Sequence, residues 1–315
     1  MRRPFTASLK GDALEGERGR MNGSRGEAAL AKANGDAGGD TVILVVSFGT
    51  SYNENRRVTI GAIEGAIGRA YAGYEVRRAF TSQVIIDKLR ERDGVEIDNV
   101  EKALNRAAAD GIANLIVQPT HLMEGYEYMD LAGVLKGYEG VFEKVVLGEP
   151  LLSSDEDFHM VVNAITEKTA AYDDGRTAIC FLGHGTGADS NRVYPKLQEI
   201  LKGAGYENYY IGTVEARPDV ADVAAALSEN GFYKRVVLEP LMVVAGDHAN
   251  HDMAGDGEDS WKSVLEHEGY EVECVLEGLG QIPAVRDIYV RHVEAAMDCL
   301  EGNGGGWKCG REEVQ

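Results

Sequence analysis

Between residues 41 and 301, short apolar runs alternate with stretches whose apolar side chains recur every three or four positions. Eight runs read as strands: residues 42–48, 75–80, 114–118, 144–148, 177–182, 209–214, 235–240 and 271–276. Their apolar residues are nearly continuous, the pattern of parallel strands covered on both faces. Segments such as Ile60-x-x-Ile63-x-x-x-Ile67 and Val220-x-x-Val223-x-x-x-Leu227 set apolar side chains on one helical face. This alternation predicts an α/β protein with doubly wound parallel sheets and right-handed crossovers. Ligands then bind beyond the carboxyl ends of the strands.

The pattern also repeats. Val42-Ile43-Leu44-Val45-Val46-Ser47-Phe48-Gly49-Thr50 resembles Ala178-Ile179-Cys180-Phe181-Leu182-Gly183-His184-Gly185-Thr186. Ile116-Val117-Gln118-Pro119, followed by Gly125, resembles Val237-Leu238-Glu239-Pro240, followed by Gly246. Two similar α/β halves related by a pseudo-two-fold axis, residues 41–172 and 173–301, would enclose a central cleft. Residues 1–40 and 302–315 carry glycine and no periodic apolar pattern, so they read as a disordered extension and a flexible tail.

Registering the halves brings four chemical groups to the strand ends. His184 falls opposite Phe48, Glu215 near Thr81, and His248 opposite Glu127. Two imidazoles and a carboxylate suit a divalent Co, Ni, Fe or Zn ion, and imidazole also moves protons near neutral pH. His251, one turn beyond His248, could join them if that stretch is helical. His159, His267 and His292 read as solvated helix faces. His121 could line the cleft, but no partner for it is legible. Asp252, Asp256, Glu258 and Asp259 read as a solvated acidic loop. Ser47, Thr50 and Ser51 could hold ligand carboxylates or cap a helix. Phe48 and Thr81 join them as candidate substrate contacts. A dinucleotide fingerprint is matched only loosely, by Gly183-x-Gly185-x-x-Ala188.

Composition narrows the classes. With 32 basic and 52 acidic side chains the formal charge is −20, which argues against nucleic acid as a partner. No apolar run reaches the roughly 20 residues of a membrane span, and the amino terminus lacks the apolar core of a secretory signal. Four scattered cysteines, without a Cys-x-x-Cys pair, read as reduced thiols. The expected setting is cytoplasmic, and a homo-oligomer is compatible with all of this.

The same residues carry a family resemblance. Val45-Val46-Ser47-Phe48-Gly49-Thr50-Ser51-Tyr52, Ala79-Phe80-Thr81-Ser82, Gly183-His184-Gly185, Val214-Glu215 and Leu241-Met242-Val243-Val244-Ala245-Gly246-Asp247-His248-Ala249 resemble the anaerobic sirohydrochlorin cobaltochelatases of the CbiK type, class II tetrapyrrole chelatases. Asp252-Met253-Ala254 and Asp259-Ser260-Trp261-Lys262 extend the similarity over residues 41–300. The resemblance implies two α/β halves around a tetrapyrrole cleft. It implies insertion of Co2+ into sirohydrochlorin (or precorrin-2) in oxygen-independent cobalamin synthesis, with the metal as substrate and no organic cofactor. It puts metal ligation on His184, Glu215 and His248, and catalysis on His184, His248 and Glu127. The substrate's eight carboxylates would need Arg56, Arg57 or Arg217. Tyr126 departs from the family pattern, which has an acidic or small residue there. A ferrochelatase or nickel chelatase, or a non-catalytic tetrapyrrole carrier on the same scaffold, would share most of these features.

Overall fold

The computed structural model describes residues 39–302; the expected extension (but for residues 39 and 40) and the tail beyond Gly302 lie outside them. All eight expected strands form: β1 (Thr41–Ser47), β2 (Glu75–Phe80), β3 (Asn114–Pro119), β4 (Lys144–Leu147), β5 (Thr177–Gly183), β6 (Tyr209–Thr213), β7 (Arg235–Pro240) and β8 (Glu271–Cys274). They build two four-stranded sheets, ordered β2-β1-β3-β4 and β6-β5-β7-β8, with every pairing parallel. Among the described residues ten α-helices flank them: α1 (Asn53–Val58), α2 (Ile60–Ala70), α3 (Gln83–Asp93), α4 (Val100–Ala109), α5 (Tyr126–Lys136), α6 (Asp155–Thr169), α7 (Val193–Gly203), α8 (Val220–Asn230), α9 (Trp261–His267) and α10 (Pro283–Glu301). No helix among the described residues is long and apolar enough to cross a membrane.

The continuous apolar runs follow from the layering. Successive strand side chains point to opposite faces, and both faces of each sheet are covered. From β1, Ile43 and Val45 enter a core shared by the two sheets, while Val42, Leu44 and Val46 enter an outer core with α4 and α5. From β5, Ile179 and Phe181 enter the same shared core, while Ala178, Cys180 and Leu182 pack outward against α8 and α9. Helix α10 follows the second sheet in sequence yet packs against α2, α6, β3 and β4. There Tyr289 donates to the Thr120 carbonyl at 2.9 Å, and Tyr71 donates to that of Val290 at 3.1 Å.

That placement corrects one histidine. His292 is buried rather than solvated: Nε2 lies 3.2 Å from Asp157 Oδ1, and Nδ1 lies 3.1 Å from the Glu149 carbonyl. Its helical periodicity looked like a charged face because the partners lie on α6 and after β4, far away in sequence. Burial alone would raise the Asp157 pKa, but hydrogen bonds from His292 and Ser154 outweigh it and hold the carboxyl well below its ordinary range. Cys180 and Cys274 are free thiols pushed up in pKa by burial.

The repeat reaches the backbone beyond the strands. In the first half Thr81 and Ser82 donate to the carbonyls of Ser47 and Phe48, at 2.9 and 3.2 Å. In the second, Val214 and Glu215 donate to those of Gly183 and His184, at 3.0 and 2.8 Å. His184 is therefore the counterpart of Phe48, as expected. Glu215 is the counterpart of Ser82, one residue beyond the expected Thr81. The glycine after each pair, Gly49 and Gly185, has φ of 102° and 84°, a left-handed conformation that favours glycine.

The strand-end loops of the halves meet reciprocally. After β1, Asn55 Oδ1 accepts from the Ala245 amide at 2.9 Å, and Tyr52 donates to Asp247 at 3.3 Å. A Cβ on Gly246 would stand 3.5 Å from Thr50 Oγ1. In the opposite direction, Gly125 and Tyr126 abut Ser190 and Gly187 of the loop after β5. Each half thus sets its first-strand loop against the third-strand loop of the other.

Candidate active site

Three ligand-type side chains converge where the second sheet ends. Ligand atoms of His184, Glu215 and His248 all lie within 4.8 Å of one another, the metal-competent cluster among the described residues. His184 Nε2 is 3.6 Å from Glu215 Oε1, and the two imidazole rings stand 4.5 Å apart at 60°. The positions follow from the chain. His184 is the residue after β5, and its carbonyl takes the Glu215 amide in an extension of the β5–β6 ladder. Gly183 has no room for a side chain, since a Cβ there would stand 2.1 Å from the Tyr194 ring. His248 lies in a short helical segment that begins at Asp247 after β7 and continues as a π-helical turn over Ala249–Met253.

His248 has a partner that its sequence context disguised. Asp252 Oδ2 lies 2.8 Å from His248 Nδ1, four residues on. A carboxylate on Nδ1 selects the tautomer with its proton there and leaves Nε2 as the donor to a metal. Asp252 is thus not simply part of a solvated acidic loop, while Asp256 pairs with Lys262 at 2.9 Å. The i, i+4 spacing of His248 and Asp252 was the available signal. His251 stays outside the cluster, exposed and beside Asp247.

The first half presents a different pair. Glu127, in the first turn of α5, has Oε2 3.5 Å from Nε2 of His121. The sequence shows no group opposite His121; the fold brings Glu127 to it, because the loop after β3 curls back before α5. Glu127 is half exposed, whereas the His121 side chain is only 7% exposed.

The remaining candidates divide by burial. Ser47, Thr50 and Ser51 are buried, and the Ser47 hydroxyl accepts from Thr120 at 2.8 Å. The Thr81 hydroxyl is buried without a hydrogen-bond partner. Phe48 is 46% exposed. Arg56 donates to the Thr50 carbonyl at 3.2 Å, and Arg92, which sequence reasoning missed, donates to that of Ser51 at 2.6 Å. Burial lowers the Arg56 pKa, and the charges of Arg78 and Arg92 lower it further. Arg78 and Arg92 also pair with Glu64 and Asp93, so Arg56 is the arginine beneath the first loop whose charge is least compensated. Arg57 pairs with Glu54, and Arg217, 72% exposed, pairs with Asp219 and Asp222.

Chemically, two imidazoles and a carboxylate at an accessible edge can hold a borderline divalent cation while leaving coordination positions open. A closed four-ligand shell would retain the ion; this arrangement can release it.

Comparison with known proteins agrees with this geometry. The model of the cobalt chelatase family CbiK matches residues 41–298. The sirohydrochlorin cobaltochelatase of Salmonella typhimurium is 35% identical over 256 residues, 81% of this chain and 96% of its own length. Sirohydrochlorin cobaltochelatase CbiKC of Nitratidesulfovibrio vulgaris is 30% identical over 261 residues, 82% of this chain and 91% of its own. In fold, the chain is similar to SirB from Bacillus subtilis with Fe3+ (TM-score 0.57, 14% identity, 84% of this chain and 98% of that one). By fold, by the converging histidines and glutamate, and by sequence over nearly all of the described residues, the chain belongs to the CbiK cobalt chelatase family.

Proposed function

We propose that the protein inserts Co2+ into sirohydrochlorin, with the metal as substrate. The observation that carries this reading is the His184–Glu215–His248 cluster at an open edge between two interlocked halves, in a chain of the cobalt chelatase family. Insertion requires a hydrated cation to shed water while two pyrrole N–H protons leave the macrocycle. His184, Glu215 and His248 would hold the ion loosely, with Asp252 fixing the His248 ring. The half-exposed Glu127 carboxylate would take the two pyrrole protons in turn and pass each to water. Arg56 and Arg92 would offset the substrate's carboxylates near the first loop. The reading needs no organic cofactor and no membrane partner, and it suits a cytoplasmic enzyme.

The test is anaerobic absorbance spectroscopy of the purified protein with sirohydrochlorin and Co2+, Fe2+ or Ni2+ in turn. Catalytic conversion to the cobalt complex, fastest with Co2+, is the expected result. Stoichiometric binding without turnover would replace the enzyme by a carrier. Faster insertion of Fe2+ or Ni2+ would replace the metal.

A further inference from the structure

We infer that His121 is a positioning residue for Glu127, holding its carboxylate in the orientation that accepts the pyrrole proton; the inference rests on the chelatase reading above. The first observation is the state of the ring. A neutral imidazole has one N–H donor and one acceptor nitrogen, and neither nitrogen of this nearly buried side chain has a hydrogen-bond partner. Leaving such groups unmet is unfavourable, so natural interiors avoid it unless the group has another use. Nε2 faces Glu127 Oε2 at 3.5 Å, just outside hydrogen-bond range. Hydrogen bonds of this kind are often long in a free enzyme and close when substrate is bound.

The second observation comes from the other half. His121 and Leu122 accept backbone hydrogen bonds from Leu151 and Leu152, each at 2.9 Å. Met242 and Val243 accept from Leu279 and Gly280 in the same way, at 2.8 and 3.0 Å. Met242 is therefore the counterpart of His121, and a thioether with no N–H to donate serves the same backbone architecture. The loop does not require an imidazole. What distinguishes the two halves at this point is the group six residues on, a carboxylate in Glu127 and an imidazole in His248.

The pinned backbone limits the ring to side-chain rotation, while the first turn of α5 favours a negative charge on Glu127. With Nε2–H donating to Oε2, Oε1 is left for the substrate. Each of the two pyrrole N–H protons passes in turn to Oε1 as the metal–nitrogen bonds form, and leaves for water from this half-exposed group. His121 itself neither gains nor loses a proton.

The test compares two polar replacements in two backgrounds, using the full chain. His121→Gln keeps an amide N–H near the place of Nε2, whereas His121→Asn falls short of Glu127. Expected is a kcat within about three-fold of wild type for H121Q and an about ten-fold loss for H121N, with KM for Co2+ unchanged. In the Glu127→Gln background H121N should lower kcat by less than about two-fold, since coupled residues are not additive. Thermal melting of each variant reports folding, and the H121Q–H121N contrast holds even if both melt lower. Equal losses in H121Q and H121N, or the same loss from H121N in both backgrounds, would overturn the inference. So would wild-type turnover in E127Q, which would leave the chelatase reading intact. No insertion by the wild-type protein would remove that reading instead.

Discussion

The two halves share a strand order, a ladder extension past the first strand, a left-handed glycine and a reciprocal loop contact, yet they differ at nearly every position that carries chemistry. Where the second half has His184, Glu215 and His248, the first has Phe48, Ser82 and Glu127. Where the first has His121, the second has Met242. Backbone hydrogen bonds and buried strand residues must be kept for either sheet to exist, so the duplication persists there. Side chains just past the strands contribute little to packing and are free to diverge. The second half offers ligands for a cation. The first offers a carboxylate, an exposed ring at Phe48 and the arginines of its loop. A flat macrocycle between the halves would meet metal ligands on one side and a proton acceptor on the other.

The comparison can be broken most severely at the residue before His184. Ser47 and Gly183 are counterparts, but the Tyr194 ring fills the space a side chain would need at Gly183. Gly183→Ser, which makes the second half resemble the first, should therefore lower stability by about 3 kcal/mol through overpacking. Chemical denaturation would read it; an unchanged midpoint would mean that Tyr194 yields freely.

Helix α10 breaks the symmetry differently, by crossing to the first half, where Asp157 meets His292. The Asp157 carboxyl is depressed in the folded state. Its stabilisation is thus fully present above the ordinary carboxylate pKa of about 4 and is lost as the pH falls below it. Asp157→Asn should cost about 2 kcal/mol at neutral pH and flatten the acid limb of a melting-temperature profile. A variant with the wild-type acid limb would assign that limb to other carboxylates.

At the site, His184→Ala and His248→Ala should each slow insertion by about ten-fold or more, about 1.4 kcal/mol of barrier, with little change in melting temperature. Near-normal turnover in both would remove the metal-site reading. The glutamates sharpen the division of labour, each with an effect of about ten-fold, near 1.4 kcal/mol. Glu215→Gln should raise the Co2+ concentration needed, so that added metal restores the rate. Glu127→Gln should lower the maximal rate without such rescue, and the opposite pattern would exchange the two roles. The smallest effect belongs to Ser47→Gly, which removes the hydroxyl that accepts from Thr120. It should cost somewhat under about 1 kcal/mol in the same denaturation experiment.

Much of this molecule was legible before folding because the strongest signals are local. Five consecutive apolar residues, Val42 to Val46, can only be satisfied by cover on both faces, and that cover is found. The equal spacing of Pro119 to Gly125 and Pro240 to Gly246 marked corresponding loops, so His184 and His248 could be placed at strand ends. The one-residue shift of Glu215, from Thr81 to Ser82, was not legible, because it depends on which amide continues the ladder past β6.

What only the tertiary structure decided lies in contacts between residues distant in sequence, or in the direction of a turn. His292 looks like any histidine on a charged helix until α10 carries it across to Asp157. Arg92 lies 41 residues from the Ser51 carbonyl it binds. His121 and Glu127 are close in sequence, but whether their side chains meet depends on how the loop after β3 curls. The sequence by itself determined the strands, the duplication and the groups available for chemistry, since burial and spacing act along the chain. Which of those groups face one another depended on the packing of two sheets, because a hydrogen bond or a metal site needs positions set to within an ångström.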